Sequence, residues 1–424
     1  MIVVWLLNNP VSISSRLLYN TNSQSGGWID ATFDSIKPQI DSSEIELHII
    51  APVEKEHDDI EYCNGCVCHY VKWRKNGIGI KPQKKDVIRL RRLLQLINPD
   101  LVMAWGTEFS FNYSGIICSK QLHKPSLIYI QGLASSFIGY ENAHLSYRNM
   151  VKRLGVFDKL KTIYTKRYYH SLKKQTYYEE DMIRACDGII SDNKWCFEIG
   201  KSINPNVKCF YSLLPLSDSF THAKRWSIET MKHHQIFTIA GRTAYKGLHI
   251  LIDAIKLVKM EYPDVRLVIP GYMGYGKPKF LKKPPYISYL EQIIKDNNLS
   301  ENVHFVGRLT SEEMAAMMQT AHCFVMPSCI ENHSSTLREA LYVGVPCISA
   351  MVGSIYELIE SNKQALLYRY EDVFALAAMI KRVFEADELC NVLSENGHNR
   401  VTSFYSNTLN RSIGEIYESV LERS

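Results

Sequence analysis

The sequence predicts an α/β protein made of two Rossmann-like, doubly wound domains. Three observations carry this. The chain has 424 residues, enough for two or three domains at ~100–200 residues each. Short, nearly continuous apolar runs alternate with amphipathic stretches, as expected of parallel strands buried on both faces with helices between them. That alternation restarts after residues 214–224, so the unit is present twice.

In the first half, the apolar runs 2–7, 45–50, 101–104 and 127–130 read as buried strands. Residues 86–97 place Val87, Leu90, Leu93, Leu94 and Ile97 on one helical face. Pro38, Pro99 and Pro125 read as punctuation between units. In EYCNGCVCHY (61–70), Asn64-Gly65 suits a hairpin turn with a strand after it. Cys63, Cys66, Cys68 and His69 lie within seven residues, yet no second ligand knuckle follows, as structural zinc sites usually require. The hairpin is therefore preferred and no metal is expected. The chain has 11 cysteines, an odd number. Cys118, Cys186, Cys196, Cys323 and Cys347 sit in apolar surroundings as small hydrophobes, and no disulfide framework is expected.

In the second half, 236–240, 265–269, 303–306, 323–326 and 346–349 read as strands, and 248–262, 311–320 and 336–343 as helices. Thr310 with Glu313 forms a capping box before 311–320. A final helix is expected over 403–421. The expected domains are 1–215, 216–402 and a helix in 403–424 that crosses back onto the first.

Composition narrows the function classes. Hydrophobic residues are 46% and charged residues 22%, which excludes a disordered chain. No apolar run reaches the ~18 residues of a membrane span, and the first strand lacks the basic flank of a signal peptide. A cytoplasmic protein is expected. The net charge of +5 is too small to imply nucleic acid. Its placement is more informative: residues 1–220 hold 27 Lys/Arg against 22 Asp/Glu, whereas 221–424 hold 22 of each. The excess concentrates in 72–92 and 147–178, the latter interleaved with Phe157, Tyr164, Tyr168, Tyr169, Tyr177 and Tyr178. Such stretches form solvated helix faces, or meet an anionic membrane surface with cations at head groups and rings at the interface.

In doubly wound sheets, ligands bind beyond the carboxyl ends of the strands. Those ends carry Gly241-Arg242-Thr243-Ala244-Tyr245-Lys246-Gly247, Pro270-Gly271, Gly307-Arg308, and Pro327 to Ser335 ahead of the helix with Glu339. Arg242 and Lys246, beside a glycine turn and a helix start, suit a diphosphate. Glu331 suits bidentate contact with sugar hydroxyls, or else is an exposed loop residue. Glu339 suits a ribose diol, or else closes a capping box with Thr336.

These segments resemble the retaining glycosyltransferases of family four, which adopt the GT-B fold. The resemblance rests on GRTAYKG (241–247), VGRLTSEEMAAMM (306–318) and FVMPSCIENHSSTLREALYVGVPCISA (324–350), the last holding the family's Glu-x7-Glu signature as Glu331 and Glu339. Gly26-Gly27 resembles the family's glycine loop facing the donor phosphates. NPDLVMAWGTE (98–108) and IYIQGL (128–133) resemble strand ends that face the cleft. The resemblance implies that Arg242 and Lys246 hold the donor pyrophosphate, Glu339 the ribose and Glu331 the transferred sugar. It implies a base pocket lined by Gly307, Arg308 and Leu309, with Gly241, Asn332, His333, Ser334 and Ser335 also at the donor and Thr107, Glu108 and Gln131 on the acceptor side. The chain departs from the family pattern at three places. Only three residues separate Arg242 from Lys246, Asn332 to Ser335 replace a glycine-rich loop, and Gln131 stands where a histidine is common.

The implied activity is a hexosyltransferase working with retention and without metal or cofactor. Its donor would be a nucleotide-diphosphate sugar, UDP or GDP in type. Its acceptor would be a lipid-linked glycan of cell-surface polysaccharide synthesis, reached at an anionic inner membrane. The alternatives are a nucleotide-sugar epimerase on the same fold and a non-catalytic nucleotide-binding protein. A dehydrogenase is disfavoured because no Gly-x-Gly-x-x-Gly follows the first strand.

Overall fold

A computed structural model describes residues 1–8, 27–53, 59–145, 163–241, 243–271, 285–407 and 410–421. The chain divides into two compact units: Met1–Ile138 with His170–Pro215 and Asn407–Ser424, and Gly139–Tyr169 with Leu216–Ser406. Gly139–Tyr169, which the sequence grouped with the first domain, belongs to the second unit.

The first unit holds β1 (Ile2–Leu6), β2 (Glu46–Val53), β3 (Asp59–Cys63), β4 (Cys66–Lys72), β5 (Leu101–Trp105), β6 (Ser126–Tyr129), β7 (Gly188–Ser191) and β8 (Lys208–Tyr211) in one sheet. Its order is β3-β4-β2-β1-β5-β6-β7-β8. Every pairing is parallel except β3 with β4. All five residues of β5 are buried and so are four of β1, which is why these strands are apolar without alternation. From β1 the chain winds outward one way through β2 and β4, then the other way from β5, so the switch point lies between β1 and β5.

The second unit holds β9 (Lys232–Phe237), β10 (Arg266–Ile269), β11 (Val303–Phe305), β12 (Ala321–Met326), β13 (Cys347–Ala350) and β14 (Leu366–Tyr368). Its order is β11-β10-β9-β12-β13-β14, all parallel. The winding reverses between β9 and β12.

Local signals set several elements directly. The helix Ser311–Thr320 begins at Thr310, whose hydroxyl accepts from the Glu313 amide while the Glu313 carboxylate accepts from the Thr310 amide. Asn64 (φ 52°) and Gly65 (φ 82°) turn β3 into β4, the paired positive φ values of a two-residue hairpin turn.

Three expectations are corrected. Pro38 lies inside the helix Gly27–Asp41 rather than between elements. It falls in the last turn, so the amide it lacks costs only one hydrogen bond before the helix ends. The strand expected at 236–240 occupies Lys232–Phe237. The final helix of 403–421 is two, Asp387–Tyr405 and Ile413–Leu421. Asn410 accepts a hydrogen bond from the Leu213 amide across the break, and Ser412 with Glu415 caps the restart. Ile413–Leu421 packs in the first unit, where Tyr417 accepts a 2.7 Å hydrogen bond from the Trp5 indole.

Residues 147–162 of the second basic stretch lie outside the described residues. The remainder continues in the helix Ile163–Ala185, where Tyr178 stacks on Tyr113 at 4.5 Å and Tyr169 and Tyr177 are exposed. The first stretch leads into the helix Lys84–Ile97, whose buried Asp86 faces Arg89 at 3.6 Å. No described helix is long and apolar enough to cross a membrane.

Candidate active site

The winding reverses between β9 and β12, and in doubly wound sheets ligands bind at the carboxyl ends of the strands beside such a switch point. The segments that leave those two ends carry Lys246 and Glu331. After β9 the chain makes a short 3-10 turn, Ala244–Lys246, then starts the helix Leu248–Val258 through Gly247 at φ 72°. A side chain on Gly247 would put its Cβ 1.8 Å from the Pro327 carbonyl oxygen. Only glycine allows that approach and that φ together. The Cys329 amide donates to the Tyr245 carbonyl at 2.8 Å, fixing the two segments side by side.

This clamp sets the Lys246 ammonium 2.5 Å from a Glu331 carboxylate oxygen. Burial alone lowers the lysine pKa, but the charge and hydrogen bond of Glu331 outweigh it, so the pKa is raised and Lys246 stays protonated. The Glu331 backbone is held by Gly353 (φ 53°), where an added Cβ would come 1.7 Å from the Glu331 carbonyl oxygen. Next along, the Ser354 hydroxyl donates to the Asn332 carbonyl. Gly353 and Ser354 follow β13 and meet this loop only in the fold, so no local pattern marks them.

Glu339 sits half-buried on the helix Ser335–Val343. Burial pushes its carboxyl up to about 7, against the pull of Arg338. Ser334, not Thr336, caps this helix, accepting from the Leu337 amide. The capping-box alternative for Glu339 with Thr336 is therefore overturned: the cap begins two residues earlier. Asn332 and His333 are buried, and Ser334 and Ser335 half-buried. The alternative of a plain exposed loop for Glu331 also falls, because Glu331 is buried and paired.

Gly307 (φ 79°) accepts a 2.5 Å hydrogen bond from the Gly271 amide at the ends of β11 and β10. Arg308 beside it is exposed and Leu309 half-buried. Gly241 is half-buried at the end of β9. Arg242 and Gly26 lie outside the described residues, and Gly27 is the first residue of its helix.

The first unit has its own cluster at the ends of β5 and β6. Thr107 donates to Glu179 at 2.7 Å, and Glu179 also accepts from the Ala134 and Ser135 amides and the Ser135 hydroxyl. Gln175, one turn earlier, donates to the Thr107 carbonyl at 2.5 Å. Burial raises the Glu179 carboxyl, and these hydrogen bonds oppose the rise. Glu108 rests against Gly106, where an added Cβ would come 2.1 Å from its carboxylate. Burial pushes Glu108 up to about 7. Gln131 follows β6 and is half-buried. Glu179 and Gln175 escaped the sequence reading. Their signal was present: both fall on the buried stripe of Leu172, Met182, Ile183 and Cys186, where a polar residue needs a partner.

The chain is similar to known proteins in sequence and in fold. Residues 221–400 match the family of glycosyl transferases group 1. WcaL of Escherichia coli K12, named as a glycosyltransferase of colanic acid biosynthesis, is 27% identical over 194 residues, 44% of this chain and 45% of its own. The amylovoran biosynthesis glycosyltransferase AmsK of Erwinia amylovora is 30% identical over 192 residues, 43% of this chain and 44% of its own. The matches thus span about half the length of these relatives. The crystal structure of Anabaena HepE in complex with UDP superposes with a TM-score of 0.64 at 15% identity, over 99% of this chain and 100% of that one. This likeness shows the fold, two Rossmann-like units of the GT-B class. The epimerase alternative is not favoured.

Proposed function

We propose that this chain, whose residues 221–400 match the family of glycosyl transferases group 1, moves a hexose from a nucleotide-diphosphate sugar to an acceptor hydroxyl with retention. The observation that carries this is the partly buried Lys246–Glu331 pair at the β9/β12 switch point, with Glu339 on the adjoining helix.

The chemistry follows from the charges. When the bond from the anomeric carbon to the diphosphate breaks, negative charge grows on the departing oxygen. A protonated lysine in a partly desolvated crevice stabilises that charge more than water does. Glu331 orients the ammonium and offers its second oxygen to hydroxyls of the transferred sugar. Glu339, once ionised, accepts from the ribose diol. Gly307, Arg308 and Leu309 border the base through their backbone, and Asn332 to Ser335 line the sugar side. Arg242 adds a second cation in this reading, and Gly26-Gly27 present amides to the phosphates. The acceptor hydroxyl attacks on the face that the diphosphate leaves, and the leaving oxygen takes its proton. Lys246 and Arg242 supply the positive charge, so the reading calls on no metal and no cofactor.

HepE was solved in complex with UDP, and the reading takes UDP as the first donor nucleotide to test, with GDP second. WcaL and AmsK are named for colanic acid and amylovoran synthesis. The acceptor assigned here is accordingly a lipid-linked glycan of cell-surface polysaccharide synthesis. It is received at Thr107, Glu108 and Gln131 of the first unit. The basic stretches 72–92 and 147–178 would hold the chain to the anionic cytoplasmic face of a membrane.

The test is a thermal-shift panel with UDP, GDP, ADP and CMP, followed by transfer assays with the matching sugar donors. One nucleotide is expected to raise the melting temperature and its sugar to be transferred. Flat responses to all four overturn the reading. Co-sedimentation with anionic liposomes at low salt tests the membrane assignment separately, and failure to bind removes it.

A further inference from the structure

The β3–β4 hairpin brings three thiols together. Cys63 and Cys66 face each other across the Asn64-Gly65 turn, and Cys68 follows two residues on. Side chains two apart on a strand share a face, so all three point to one side. The Sγ atoms of Cys63 and Cys68 are 3.4 Å apart, and those of Cys66 and Cys68 are 3.8 Å apart. All three lie within 4.8 Å of one another. His69 faces the other way, where its Nε2 lies 2.9 Å from Nδ1 of His48. It is not a fourth member.

We propose that Cys63, Cys66 and Cys68 form a three-thiolate binding site for a soft cation of the zinc type, distinct from the sugar-transfer site. Sulfurs bound to one zinc at ~2.3 Å in tetrahedral geometry stand ~3.8 Å apart, close to the separations the hairpin already imposes. Thiolate is the ligand that selects soft ions. The expectation of no metal rested on the missing second knuckle. The register answers it: a single two-residue hairpin delivers three ligands, and the fourth position is left to water or a solute. Cys66 and Cys68 are buried against the core of the first unit, while the half-buried Cys63 gives an ion a way in at the hairpin tip. Binding replaces three S–H bonds by three S–metal bonds and releases three protons to solvent, with no change of oxidation state. The bound ion would pin β3, the edge strand, to β4.

The experiment uses the full chain, reduced and metal-free, titrated anaerobically with Co²⁺. A near-ultraviolet thiolate-to-cobalt charge-transfer band saturating at about one equivalent per chain is expected, and Zn²⁺ should bleach it. Cys68→Ser and Cys63→Ser should each weaken or abolish it, while Cys209→Ser should leave it intact. Cys63 is only half-buried, so its variant reports on binding even if Cys68→Ser fails to fold. No band in the reduced chain, or a band of parental intensity and stoichiometry in Cys63→Ser, overturns the site. Nucleotide thermal shifts in Cys63→Ser should match the parent chain, which separates this outcome from the transferase reading.

Discussion

The Lys246 ammonium lies 2.5 Å from the Glu331 carboxylate although 85 positions separate them in sequence. Nothing local to either residue produces that contact. It arises because β9 and β12 are neighbours in the sheet although β10 and β11 come between them in the chain.

The first prediction concerns rate. Lys246→Ala should lower transfer by ~10²–10³-fold, the usual effect of removing one preorganised charge-stabilising donor, with unchanged circular dichroism. Steady-state transfer at saturating donor checks it. A loss of less than about tenfold would remove Lys246 from the proposed role.

The second concerns stability. Glu331→Gln leaves the ammonium without its charged partner. Breaking a fully buried pair costs ~3–5 kcal/mol. The Lys246 side chain is 28% exposed, so water recovers part of that, and a loss of about 1–3 kcal/mol in urea unfolding is expected.

Gly247→Ala should be worse than its size suggests. The φ of 72° costs an L residue ~1–2 kcal/mol, and the new Cβ would press on the Pro327 carbonyl. The second unit should be destabilised and transfer should fall, because the Lys246 turn must move off β12. Urea melts and transfer assays on one preparation check both.

Glu339 gives a pH signature. Its folded carboxyl is raised from 4.5 to about 7, so the native state binds the extra proton between those values. Stability contributed by this group is then full below about pH 4.5 and is lost as pH rises towards 7. Relative to the parent chain, Glu339→Gln should therefore gain stability across that window. Nucleotide affinity in the parent should rise as pH passes through about 7, because the ribose diol donates to the ionised carboxylate. Melting and nucleotide titration at stepped pH read both effects, and parallel profiles in the two proteins would sink the assignment.

In the first unit, Glu179→Ala leaves the Ala134 and Ser135 amides and the Ser135 hydroxyl without their acceptor. Each unsatisfied buried group costs ~1–3 kcal/mol. A clear drop in the unfolding midpoint of this unit is expected, followed by differential scanning calorimetry.

What the sequence by itself determined was governed by near neighbours. The apolar runs of β1, β5, β12 and β13 are strands because two-sided burial demands continuous hydrophobicity. Thr310 and Glu313 close their capping box within a single turn. Asn64-Gly65 turns a hairpin from its own φ preferences. Helix interruption was less legible: the break before Ile413 depends on Asn410 reaching Leu213, nearly two hundred residues away. The tertiary structure alone decided which of the charged and thiol groups meet. It paired Lys246 with Glu331, seated Gly353 under Glu331, buried Glu179 beneath Thr107, and turned His69 away from three converging cysteines. The physical reason is common to all four. Strand order and register set these distances, and both are fixed by burial summed over whole sheets rather than by the residues that end up in contact.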